Sequence, residues 1–148
     1  MKIIFLDFDG VLRHRGWEGE AIAHLNTLTD ETKANIVVSS DWRHTHELRE
    51  LRNVLCRVGV TGFVLDMTPI IRDSDIDLPS GRMDIANPLI RSMEVSRWIS
   101  IHKECLAPFS YVVLDDMDMT QFQHKQRFVH VKDKLDINDI NKAKAILL

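Results

Sequence analysis

Two short runs of consecutive apolar residues, Ile3-Ile4-Phe5-Leu6 and Tyr111-Val112-Val113-Leu114, are each cut off by an aspartate. Neither alternates apolar with polar positions. Both therefore suit strands buried on both faces, the habit of parallel sheets, rather than strands with one wet face. Further strands are expected at Asn35–Val38, at 63–65 and at 128–131. Between them lie helical patterns. Residues 18–28 carry Ile22, Leu25 and Leu28 on one face, and 45–58 carry Leu48, Leu51, Leu55 and Val58 at helical spacing. Val95, Trp98, Ile99 and His102 mark another helix, and Asp136 is placed to cap a last one through Ile140, Ala143 and Leu147. Strands alternating with helices over the whole length predict an α/β domain with a mostly parallel sheet of about five strands. Residues 68–88 hold Pro69, Pro79, Gly81 and Pro88 and are expected to form a loop, a candidate flap over a site.

The chain has 148 residues, enough for a core of its own, so 1–148 is expected to be one domain. At 45% hydrophobic and 28% charged residues it is neither disordered nor fibrous. A net charge of −3 excludes the global basic field that drives sequence-independent DNA binding. Cys56 and Cys105 form no metal or redox frame and are expected to be buried thiols on helices. The apolar run before Asp7 is shorter than a secretory core, and no stretch approaches a membrane span. A cytoplasmic protein with no membrane partner is the expectation.

In an open parallel sheet, ligands bind at the carboxyl ends of the strands. The residues following the strands should therefore meet in one crevice. They are Asp7-Phe8-Asp9-Gly10, then Ser39-Ser40-Asp41-Trp42-Arg43, then Asp115-Asp116-Met117-Asp118. Carboxylates packed this densely repel one another, and a hard divalent cation such as Mg2+ relieves the repulsion. Asp-x-Asp in one turn suits phosphoryl transfer: one carboxylate can attack phosphorus and the second can act as general acid and base. Gly10 permits a tight turn, and Ser39 can donate a hydrogen bond to phosphate oxygens.

Asp7-Phe8-Asp9-Gly10-Val11-Leu12 after a strand resembles motif I of the haloacid dehalogenase (HAD) superfamily. Ser39 after its strand resembles motif II, and Val112-Val113-Leu114-Asp115-Asp116 resembles motif IV. Ser-Ser-Asp-Trp-Arg is also similar to the Ser-Ser-Ser-Trp-Arg stretch of a compact HAD branch that includes domains of RNA-repair and phage proteins. The resemblance implies a three-layer, Rossmann-like core and a magnesium-dependent phosphatase working through an aspartyl-phosphate. It implies that Asp7 is nucleophile and metal ligand. Asp9 is then general acid/base, with its main-chain carbonyl on the metal. Ser39, with Ser40 as substitute, binds the phosphoryl group. Asp115 and Asp116 hold magnesium, Asp115 directly, and Asp118 is a further candidate. The family's motif III cation matches Arg91 best, with Arg82 and Arg97 as alternatives. The spans between motifs leave no room for a large cap. An open site implies a large phosphorylated substrate, with nucleic-acid or nucleotide ends as the specific expectation.

Arg43, His44, His46, Arg49 and Arg52 read as a solvated helix face paired with Glu47 and Glu50, or as a phosphate-backbone contact. Trp98 belongs to a helix core face. Trp42 packs the motif II loop or stacks on a base, and Trp17 stands near the substrate rim. Two other classes of function remain: a receiver-like module that accepts a phosphoryl group, and a degenerate HAD scaffold.

Overall fold

The computed structural model describes residues 1–75, 83–120 and 123–148. The described residues form five strands and four α-helices: β1 (Lys2–Leu6), α1 (Gly19–Thr32), β2 (Asn35–Val38), α2 (Leu48–Arg57), β3 (Val64–Met67), α3 (Met83–His102), β4 (Ser110–Asp115), β5 (Phe128–His130) and α4 (Ile137–Leu147). The five strands form one parallel sheet in the order β3-β2-β1-β4-β5. The apolar runs are buried on both faces, as double-sided burial requires. On one face Ile4, Leu6, Ile36 and Val38 pack with Leu25 and Leu28 of α1, Leu51 and Leu55 of α2, and Ile140 of α4. On the other, Ile3, Phe5, Val37 and Val113 pack with Val95 and Trp98 of α3. The result is three layers, with β1 at the centre.

That topology positions the site. β1 is flanked by β2 on one side and β4 on the other; the chain leaves β1 for β2 and β3, then crosses back through α3 to β4 on the other side. This is the switch point where open α/β sheets bind ligands. Main-chain hydrogen bonds continue past the strand ends. Asp7 N–H donates to Leu114 O at 3.1 Å and Ser39 N–H to Leu6 O at 3.0 Å. Asp7 is thereby fixed between the ends of β2 and β4.

Several local expectations need correction. α1 runs on to Thr32 because Thr29 and Thr32, both buried, turn their hydroxyls back to main-chain carbonyls; Lys33, in left-handed conformation at φ 59°, then ends it. The helix expected over 45–58 begins only at Leu48, where Glu47 and Glu50 form a reciprocal cap, and a separate 3-10 turn occupies Asp41–His44. α3 begins at Met83, inside the stretch 68–88 expected to be a loop. Pro88 lies in the second turn of α3, where its missing N–H removes one helical bond without stopping the helix. Pro79, Gly81 and Arg82 lie outside the described residues.

The cysteines are exposed, not buried. Cys56 follows buried Leu55 and is rotated off the apolar stripe, and Cys105 lies in the turn after α3. Arg43 does not belong to a basic surface: it is buried against Glu94. Arg52 is exposed and donates to Val64 O and Leu65 O on the edge strand β3. Trp98 is buried as expected and meets Phe5 edge to face at 5.4 Å. Among the described residues, no helix is long and apolar enough to cross a membrane.

Asp136 caps α4, accepting from Asp139 N–H at 2.9 Å while Asp139 accepts from Asp136 N–H at 3.1 Å. Asp136→Ala is expected to cost about 1 kcal/mol and Asp136→Ser much less. Denaturant midpoints of the two variants check this; equal loss in both would remove the cap from the account.

Candidate active site

Asp7, at the end of β1, is almost wholly buried, and its Oδ1 accepts from Phe8 N–H at 2.9 Å. Asp115, at the end of β4, is fully buried. Its Oδ1 accepts from Met117 N–H at 2.9 Å and its Oδ2 from Arg91 Nη1 at 2.7 Å. Asp116 stands exposed beside them. Carboxylate oxygens of Asp7, Asp115 and Asp116 all lie within 4.8 Å of one another. Three hard oxygen donors at this spacing match what magnesium prefers, so the donor set fits the ion. The Asp9 side chain stands apart from the cluster: it is held by Arg13 and Trp42.

Gly10 makes the cluster sterically possible. Its φ is +86°, and a Cβ there would fall 2.3 Å from Asp116 Oδ2. Any other residue would push Asp116 out of the cleft.

Arg91 supplies the positive charge. Buried on α3, it lies 3.5 Å from Asp7 Oδ1 through Nη1 and donates from Nη2 to Asp41 Oδ1 at 2.9 Å. Burial works against its charge, but Asp115, Asp7 and Asp41 hold its pKa above the ordinary guanidinium value. Glu94, one turn further along α3, lies 4.0 Å from Arg91 Nε and takes the Arg43 guanidinium at 2.8 Å. Arg43 also donates to Ser40 O, Thr68 O, Thr68 Oγ1 and Pro69 O. Arg43 thereby ties the turn after β2 and the chain after β3 to the helix that carries Arg91. Of the alternatives to Arg91, Arg97 is exposed on α3 and Arg82 lies outside the described residues.

One cation does not balance three acids. Burial, then repulsion from Asp115, pushes the Asp7 carboxyl up to about 7 despite Arg91. Loss of hydration, then the hydrogen bond and charge of Asp7, pushes Asp116 up to about 6. Burial also raises Asp115, against the pull of Arg91. Asp7 and Asp116 thus hold protons more tightly than ordinary carboxyls do.

The cleft over these acids has a volume of about 200 Å³, and Asp9, Ser40, Asp41 and Met117 complete its lining. Ser40, not Ser39, faces it. Both serines are buried, and the Ser39 Oγ has no hydrogen-bond partner among the described residues. Ser40 Oγ accepts from Trp42 N–H at 3.3 Å, which leaves its own proton free to donate. Of the two serines expected to bind phosphate, Ser40 is the one that lines this cleft. Asp118 lies off the cluster, exposed and bonded to Thr120. Asp41 and Arg13 received no role from the sequence. The available signals were a carboxylate at the place of the third serine in Ser-Ser-Ser-Trp-Arg, and an arginine four residues beyond Asp9.

A family described as the HAD domain in Swiss Army Knife RNA repair proteins matches residues 3–140. The chain belongs to this family. No curated protein and no solved structure matches it. The compact HAD core expected from motifs I, II and IV is the observed fold, with no cap domain among the described residues.

The raised carboxyls have a consequence for stability. Folded Asp7 and Asp116 bind protons more tightly than the unfolded chain does. Their contribution is full below the ordinary carboxylate range and is lost as pH rises through about 6 to 7. Chelator-treated protein is expected to melt lower at about pH 8 than at about pH 5, with magnesium restoring the midpoint at the higher pH. Asp7→Asn should flatten the profile. A midpoint independent of pH and magnesium over this range would contradict the assignment.

Proposed function

We propose that the domain is a magnesium-dependent phosphomonoester hydrolase, acting on phosphorylated nucleic-acid or nucleotide ends. The observation that carries the reading is the Asp7 carboxylate, fixed at the end of the central strand between Arg91 and Asp116, with Asp9 two residues on at the cleft mouth. In this reading an Asp7 oxygen attacks phosphorus while the bond to the departing oxygen breaks, and Asp9 gives that oxygen its proton. Asp9 then takes a proton from water, whose oxygen attacks phosphorus and releases inorganic phosphate and free Asp7. Arg91 and Ser40 hold the non-bridging oxygens. A divalent ion held by Asp7, Asp115, Asp116 and the Asp9 main-chain carbonyl supplies charge screening for the incoming phosphate.

The substrate class follows from two supports. The matching family is that of HAD domains in RNA repair proteins, and the cleft has no cap among the described residues, which leaves it open to a polymer end. A receiver-like phosphoryl acceptor is disfavoured by topology. Receivers order their strands 2-1-3-4-5, with the acceptor on a middle strand of the chain. Here the order is β3-β2-β1-β4-β5 and the candidate nucleophile follows the first strand.

Release of inorganic phosphate from p-nitrophenyl phosphate and from 3′- and 5′-phosphorylated oligoribonucleotides tests the reading. Magnesium-dependent turnover is expected, falling to the chelated background in Asp7→Asn, with one class of oligonucleotide end preferred over small phosphates. Turnover that survives Asp7→Asn would remove the nucleophile. Preference for a free sugar phosphate would remove the substrate class.

A further inference from the structure

Asp9 does not hang free in the cleft. Its Oδ1 accepts from Arg13 Nη1 at 2.6 Å and its Oδ2 from Trp42 Nε1 at 3.0 Å. The side chain is 57% exposed, and such a carboxylate would ordinarily sample several rotamers. Two donors from different segments select one. The donors are themselves fixed. Arg13 lies 5.5 Å from the Trp17 ring centroid and 5.3 Å from that of Trp42. The two indoles meet edge to face at 5.5 Å, and both pack on Phe8, the buried residue between Asp7 and Asp9. The main chain folds back to the same end, with Gly10 N–H donating to Arg13 O at 2.8 Å and Arg13 N–H to Phe8 O at 3.1 Å.

We infer that Arg13 and Trp42 are positioning residues for Asp9, holding its carboxylate in the rotamer from which it exchanges a proton with the departing oxygen. The inference rests on the hydrolase reading above. It joins motif I to the Trp of the Ser-Ser-Asp-Trp-Arg segment and gives Trp42 a role other than packing or base stacking. Proton transfer needs heavy atoms within about 3.2 Å, so a carboxylate released to other rotamers loses it. Arg13 lies at the surface rather than in the core, and an ion pair to an exposed carboxylate adds little to stability, so Arg13→Gln should fold normally.

The test uses the leaving group. A p-nitrophenolate departs without a proton, whereas an alkoxide does not. The ratio kcat/KM reports steps through departure of that group. Arg13→Gln and Trp42→Phe are expected to lower kcat/KM for an alkyl phosphomonoester about tenfold or more, and for p-nitrophenyl phosphate less than about threefold. Asp9→Asn should show the same bias and Arg13→Lys should recover part of the loss. Equal loss on both esters, or none, would overturn the inference. An activity-independent readout accompanies it. The Trp42 indole N–H resonance, assigned through Trp42→Phe, should move upfield in Asp9→Ala; an unmoved resonance would overturn the contact. Magnesium-loaded wild type that turns over neither ester while the indole does respond would overturn the hydrolase reading and the proton-transfer role, leaving the contact itself standing.

Discussion

The buried guanidinium of Arg91 is what lets three aspartates share one edge of the sheet. It bonds Asp115, stands against Asp7 and reaches Asp41. Without a cation there, carboxyls this close would be held neutral or driven apart. Arg91 in turn depends on the Arg43–Glu94 pair, both side chains almost wholly buried. Such a pair is costly to bury and more costly to break, so its value lies in geometry rather than in net stability. Its five-way bonding ties β2, β3 and α3 together at the level of the cleft.

The backbone sets the remaining constraints. The parallel sheet brings Asp7, Ser40 and Asp115 to one edge because β1 sits between β2 and β4. The left-handed Gly10 lets Asp116 close over the turn. The balance stays incomplete, because Arg91 offsets only part of the charge, and the carboxyls of Asp7 and Asp116 remain raised. That residual charge makes the same residues suited to a divalent ion and to a phosphate bound through it.

β1 and β4 were legible because double-sided burial leaves unbroken apolar runs, and an aspartate ends both of these runs. Asn35–Val38 is observed with the expected bounds, and the run Ile3–Leu6 lies within β1. Helix ends were less legible. The start of α3 at Met83 was hidden by Pro88, which reads as a breaker although a helix absorbs it in its second turn. Which of Ser39 and Ser40 lines the cleft was not legible, because neighbouring identical residues offer no signal to tell them apart. The inward turn of Arg43 was hidden for a related reason: its partners, Thr68 and Glu94, come from segments far away in the chain. Arg13 and Trp42 converge on Asp9 only because the chain after Gly10 folds back.

The central claim is that Asp7 itself carries the phosphoryl group. The direct measurement is rapid acid quench during turnover of a phosphorylated oligoribonucleotide with magnesium, followed by peptide mass spectrometry. The account predicts one added phosphoryl group on the peptide containing Asp7, absent from Asp7→Asn and absent without magnesium. Turnover with no phosphorylated peptide in the quenched protein, or with the group on another residue, would contradict it.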